Sequence, residues 1–432
     1  MRLTMLAAAL FFAVPAAAAP TQAPTAAPEE FATPSSPWSF QGERLLLVPA
    51  KISAPRRLGT AEHFEATEFS HKGEGVDAVL KYRTPDRDIL ATLYVYYPSI
   101  AHTGIQAIAT DQAIRSNGTP PAEPAGTATT GAGGIAGAAQ TADYNGYLGK
   151  HFSKAAFIKA GRWMVKVRVT GPEARAGEVN EITSALLNGL RFEGDDRPRP
   201  ATPLAPNDCG IPAGREARLL PDDTSAFEGA LLGAFDATGQ TADNAPSDDQ
   251  KVLLPRIGSH WCRSALTVRD SKLTILRATD ADSPSGDLDG RSILLLLYSD
   301  AGGLFEVVRL KGGKYLLLDH KIAEMRVLGT YDSVPSEDQL RRLFIAPGEQ
   351  GRVRAQVRLK ANGNSDIQII VPENEEKRRP AKRRVASADG LQVAGRQALH
   401  VTSKRGTSAR ASTTAMVRSG PSGSPARTYR TR

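Results

Sequence analysis

The sequence predicts an α+β protein: two β-rich domains of mainly antiparallel sheet, a few packing helices and disordered termini. Three observations lead there. Short runs rich in β-branched and aromatic residues recur along the chain, helical spacing is confined to a few stretches, and Pro-rich segments at 19–37 and 193–208 punctuate the pattern.

The chain opens MRLTMLAAALFFAVPAAAAP. Arg2 supplies a positive charge, Leu6 to Val14 a short apolar run, and Ala16-Ala17-Ala18 a small-residue cleavage site, so residues 1–18 read as a secretory signal. Cutting after Ala18 avoids leaving Pro20 beside the scissile bond. The apolar run falls well short of the roughly 20 residues that span a bilayer, and the later run Ile293 to Leu297 stops at Tyr298 and Asp300. The expected location is outside the cytoplasm, periplasmic or secreted, with envelope association left open. Residues 19–37, rich in Pro, Ala and Thr, are an extended linker.

Residues 38–192 form the first expected domain. Strands are predicted at 44–50, 77–84 and 88–98, and a helix at 103–115, where Ile105, Ile108, Ala109, Gln112 and Ala113 share a face. The Gly/Ala/Thr/Pro-rich stretch 117–140 reads as a low-complexity loop. Its G-x-G-x-x-A at Gly131, Gly133 and Ala136 is not a dinucleotide fingerprint, because turn formers precede it where a strand is required. A hairpin turning at Ala160-Gly161 follows, with Trp163, Val165, Val167 and Val169 on one face of its second strand. Pro172 and Glu173 open a helix whose Val179, Ile182, Leu186 and Leu190 form an apolar stripe.

After the 193–208 linker the second domain, 209–372, is expected to be antiparallel β. A helix fits Ser225 to Phe235, strands fit 261–268, 272–278, 291–298, 304–310, 314–319 and 322–330, and a short helix fits 336–345. Gly312-Gly313 suits a two-residue hairpin turn. In the last hairpin, a three-residue loop Asn362 to Asn364 would pair Lys360 with Asp366, Leu359 with Ile367 and Val357 with Ile369, leaving one face apolar and the other polar.

Cys209 and Cys262 are the only cysteines, and in an oxidising compartment they are expected to form one disulfide. The alternative, a thiol nucleophile, has only His260 as a local base. No G-x-S-x-G elbow, H-E-x-x-H or P-loop occurs, and the seven histidines are scattered, His63 and His71 matching neither a helix face nor a strand face. The cluster Asp280, Asp282, Asp287 and Asp289 lacks the Gly and Glu of a calcium loop: Ser285 and Arg291 stand at those positions, and Pro284 interrupts it. It reads as a solvated hairpin tip. No catalytic residue, metal ligand or cofactor is assigned.

Charge is the strongest remaining signal. From Lys377 to Arg432 there are 14 Lys/Arg against one acid, Asp389, leaving 40 bases and 45 acids in residues 1–376. A mildly acidic body therefore carries a cationic segment, 373–432, too poor in large aliphatics to offset chain entropy and expected to be disordered. Lys377, Arg378, Arg379, Lys382, Arg383 and Arg384 head it. Arg352, Arg354, Arg358 and Lys360, alternating on one strand, are either a solvated sheet face or an anion-binding stripe continuous with it. The expected partner is an anionic envelope glycan, a lipid headgroup or an acidic protein. Specific nucleic-acid binding is not expected, since only Tyr429 offers a stacking ring. The reading is an exported, non-enzymatic envelope protein with a binding or structural role; the alternative is an envelope hydrolase whose site is assembled from residues distant in sequence.

Overall fold

The computed structural model describes residues 37–70, 74–116, 120–210, 215–221, 256–257, 260–269, 271–279, 290–345, 353–361, 365–370, 399–402 and 412–416. Among them the chain is mostly antiparallel sheet with three α-helices: α1 (Thr103–Ser116), α2 (Ala176–Gly189) and α3 (Glu337–Ile345). No helix among the described residues is long and apolar enough to cross a membrane.

A small sheet joins Trp38–Gln41, Arg44–Leu47, Ile52–Pro55 and Arg191–Phe192. Its second strand stops at Leu47 rather than running to residue 50, because the chain turns through Lys51, which adopts a φ of 52°. The second sheet runs Arg57–Leu58, Ala61–Glu68, Asp77–Arg83, Leu90–Tyr96, Trp163–Pro172, His151–Ala160, Ile135–Tyr147, Glu123–Ala132 from edge to edge. The expected hairpin forms, with Ala160 paired to Trp163 so that its two-residue turn is Gly161-Arg162, one residue beyond the expected position. Trp163, Val165, Val167 and Val169 are fully buried on one face, and α2 lays Val179, Ile182 and Leu186 into the same core. On the opposite face α1 covers Phe157, Met164, Tyr144 and Tyr96.

The stretch 117–140 is not a loop. Its described part builds Glu123–Ala132 and the start of Ile135–Tyr147, joined through Gly133-Gly134 with φ of 56° and 80°. Two successive positive φ values suit a primed hairpin turn and demand glycine or a close substitute. Gly133 has a second reason to lack a side chain: a Cβ there would stand 2.6 Å from Phe192 Cε2. Burial within it is uneven: residues 123–130 are exposed, whereas Ala132, Ala138 and Ala139 are buried.

The third sheet runs from Asn207–Asp208 through Trp261–Val268, Ser271–Ala278, Arg291–Leu297, Leu304–Leu310, Lys314–Lys321, Glu324–Tyr331 and Ala355–Leu359 to Ser365–Ile370. Asn207–Asp208 joins it in parallel, as does Arg256–Ile257 beside Arg291–Leu297. Within 373–432, Ser412–Met416 and Leu399–Thr402 pair as further strands beyond Ser365–Ile370; the rest of that segment, including Lys377, Arg378, Arg379, Lys382, Arg383 and Arg384, lies outside the described residues. The helix expected at 225–235 lies outside them too.

Two turns differ from expectation. Leu310 pairs with Lys314, so the Gly312-Gly313 turn spans three residues, Lys311 included, rather than two. In the last hairpin Val357 pairs with Ile367 and Arg358 with Asp366, two residues from the expected register. A shift of two preserves the side-chain alternation, so the apolar and polar faces separate as predicted although the pairing does not match.

The segments 38–192 and 209–372 touch. Val308, Leu316, Leu318, Met325, Val327 and Val357 belong to the same buried cluster as Trp163 and Tyr97. The Ser99 hydroxyl lies 3.0 Å and 2.9 Å from the carbonyls of Lys321 and Glu324, and Ala323 N–H donates to Tyr97 O at 2.8 Å.

Candidate functional site

Among the described residues, a groove of about 790 Å³ lies between α1 and the first strands of the third sheet. Helical spacing sets Asp111, Gln112, Arg115 and Ser116 along one wall. Gln112 fastens that wall to the sheet, its Oε1 accepting the Thr274 N–H at 2.6 Å. The other wall is Arg263, Ser264, Ala265, Lys272, Leu273 and Thr274, with Asp208 and Cys209 at its rim.

The disulfide holds that rim. Cys209 and Cys262 are bonded as the sequence predicts, with Cα atoms 5.4 Å apart. Cys209 N–H donates to Arg263 O at 2.8 Å, and Asp208 stands opposite Arg263, accepting from its Nε at 2.9 Å. Asp111 is drawn to Arg115, 3.6 Å away, and accepts from the Tyr144 hydroxyl. Burial nevertheless raises the Asp111 carboxyl above its ordinary range, the neighbouring guanidinia only partly opposing it. Three cations and two carboxylates thus line the groove. Each carboxylate is matched to one arginine, and among the described residues Lys272 has no carboxylate partner.

No protein-family model matches the chain, and no curated protein matches it. Among solved structures, a crystal structure from Bacteroides thetaiotaomicron VPI-5482 aligns over 56% of this chain and 88% of that one at 11% identity, with a TM-score of 0.23. A likeness of that size carries no argument about function.

The basic strand stands away from the groove residues, five strands along the sheet from Ser271–Ala278. Arg358 faces Asp366 on one side and Glu324 on the other, and Lys360 pairs with Asp366 at 2.8 Å. Arg326 pairs with Glu324 on the same face. Arg358 and Lys360 are therefore interleaved with acids from neighbouring strands, which the sequence of one strand does not reveal. Arg352 and the aspartate loop 280–289 lie outside the described residues.

A Ser–Glu–His set does converge, but in the interior. Ser292 donates to Glu306 Oε1, and His320 Nε2 lies 2.8 Å from Glu306 Oε2, all three residues being buried. The serine hydroxyl engages the carboxylate rather than the imidazole, so it lacks the base that a serine nucleophile requires. Among the described residues no group of three or more His, Cys, Asp or Glu is arranged to hold a metal.

Proposed function

We propose that the protein is exported and serves the envelope in a binding or structural role, held to anionic envelope material by its cationic C-terminal segment. The partition of charge carries this reading: 14 bases and one acid from Lys377 onward, against 40 bases and 45 acids before it. Such a segment attracts glycan carboxylates, phospholipid headgroups or acidic proteins without needing a fixed shape, and its grip weakens as salt screens it. The signal pattern of residues 1–18 and the Cys209–Cys262 bond are both consistent with an oxidising compartment.

The test is envelope fractionation of full-length protein and of a variant with Lys377, Arg378, Arg379, Lys382, Arg383 and Arg384 changed to Gln. The parent is expected in the envelope fraction, released by added salt, with the variant largely in the soluble fraction. Equal partition of the two, or retention of the parent that salt does not alter, overturns the reading.

A further inference from the structure

The groove has a ligand chemistry of its own, independent of the C-terminal segment. Its volume suits a small molecule rather than a polymer cross-section or a single ion. Among the described residues no aromatic ring lines it, which disfavours a nucleobase or any ligand recognised by stacking. Its apolar residues are Pro121, Ala265, Leu273 and the half-cystine Cys209.

What remains is a dense set of donors and acceptors. Asp111, Asp208, Gln112, Ser116, Ser264 and Thr274 suit neutral hydroxyls, while Arg115, Arg263 and Lys272 exceed the local acids by one charge. Asp111 and Asp208 are each answered by an arginine, so the surplus charge in the groove is that of Lys272, which favours a ligand with an acidic group over an uncharged polyol. We propose that this groove binds a small polyhydroxylated acid, either a sugar carboxylate or a sugar phosphate. Lys272 and Arg263 meet the acidic group, and Asp111, Gln112 and Ser264 accept or share hydrogen bonds with the hydroxyls.

The walls are built to keep this geometry. The Cys209–Cys262 bond fixes Asp208 beside Arg263, and the Gln112 to Thr274 bond fixes the register of α1 against the strand. A site pre-set in this way loses less freedom on binding than one assembled from loops.

The experiment is calorimetric titration of the full-length protein with glucuronate, glucose 1-phosphate and glucose. At least one acid is expected to bind saturably at millimolar concentration or below, and glucose about tenfold more weakly or not at all. Which acid binds distinguishes carboxylate from phosphate. The double variant Arg263→Gln/Lys272→Gln is expected to weaken the acid by about tenfold or more. Ser264→Trp, which fills the groove from one wall, should abolish binding in a protein whose circular dichroism matches the parent. Neutralising residues 377–384 should leave binding unchanged, even if it abolishes envelope association, so this proposal and the preceding one fail separately. Lack of saturable binding by either acid, equal binding of glucose, binding that survives both groove variants, or binding lost only with the cationic segment would overturn the proposal.

Discussion

Lys166 buries its ammonium against Asp300, with Nζ 2.9 Å from both the Asp300 carboxylate and the Asp300 carbonyl, and 4.6 Å over the Tyr94 ring. This pair links the central strand of the second sheet to a turn of the third. The two partners are not equivalent: the Lys166 side chain is 3% exposed and that of Asp300 is 37% exposed. Asp300→Ala strands a buried ammonium and is expected to cost about 2–3 kcal/mol, below the value for a fully sealed pair because Asp300 is already partly solvated. Lys166→Met keeps the volume and leaves Asp300 to water, so a change within about 1 kcal/mol is expected. Urea denaturation of the two variants checks the asymmetry, and equal losses would contradict it.

His102 caps α1 through a bond that needs an unprotonated nitrogen. Ile105 N–H points to its Nδ1 at 3.4 Å, and the other ring nitrogen lies 3.4 Å from Thr202 Oγ1. Burial, with Lys159 adding to it, lowers the imidazole to about 4. A base depressed in the folded state binds fewer protons than in the unfolded chain, so its contribution is present above pH 6.5 and lost as pH falls toward 4. Two and a half units correspond to about 3 kcal/mol at most. His102→Asn retains a capping acceptor that does not titrate. Its stability loss between pH 7 and pH 4 should be smaller than the parent's by up to that amount.

Asp77 responds to acid in the opposite sense. Burial, and then the nearby Glu68, raise its carboxyl to about 6, with Lys166 opposing. A raised acid holds its proton longer in the folded state, so the favourable term is full below about pH 4 and disappears as pH rises through 6. Asp77→Asn should therefore be more stable than the parent at pH 7, by about 2–3 kcal/mol, and indistinguishable from it near pH 4. Thermal melts at the two pH values decide the point, and a gain of equal size at both would mean that something other than titration is at work.

Reduction tests the groove rim. The bridge separates residues 53 apart, and loop closure over that length limits its contribution to about 4 kcal/mol. A Cys209→Ser/Cys262→Ser variant should lose up to that much in urea while keeping its strand content, since Cys262 sits inside a strand paired along its length with Ser271–Ala278.

These relationships differ in how far the chain itself announces them. The Trp163–Pro172 strand and the α2 stripe are visible because their periodicity is local: Trp163, Val165, Val167 and Val169 alternate, and Val179, Ile182 and Leu186 recur at helical spacing. The last hairpin shows which residues share a face but not which residues pair, because registers two residues apart are equivalent in polarity. The 117–140 stretch was opaque for a different reason: buried alanines and a Gly-Gly turn have the composition of a linker. The groove is invisible in sequence because Asp111, Asp208, Arg263 and Lys272 come from separate elements, none with a recognisable spacing. Lys166 gives no sign of burial either, since the residue that neutralises it lies far along the chain at Asp300.

Glu306 offers the sharpest test of what holds the third sheet to the core. Its side chain is sealed, flanked by Ser292 on one oxygen and His320 on the other, while His320 Nδ1 faces no acceptor. Residues Val308 and Leu318 on the same face lie in the apolar cluster shared with the second sheet. His320→Leu leaves a buried carboxyl without its principal partner, and about 1–3 kcal/mol of destabilisation is expected. Ser292→Ala removes a single hydrogen bond to the same carboxylate and should cost about 1–3 kcal/mol. Replacing Glu306 and His320 together by leucine removes the unpartnered carboxyl as well as the pair, so the double variant should be more stable than His320→Leu alone and approach the parent where the leucines fit the vacated volume. A double-mutant cycle in urea measures this directly: strong non-additivity identifies one coupled unit, whereas additive losses would mean that the two side chains stabilise the sheet independently.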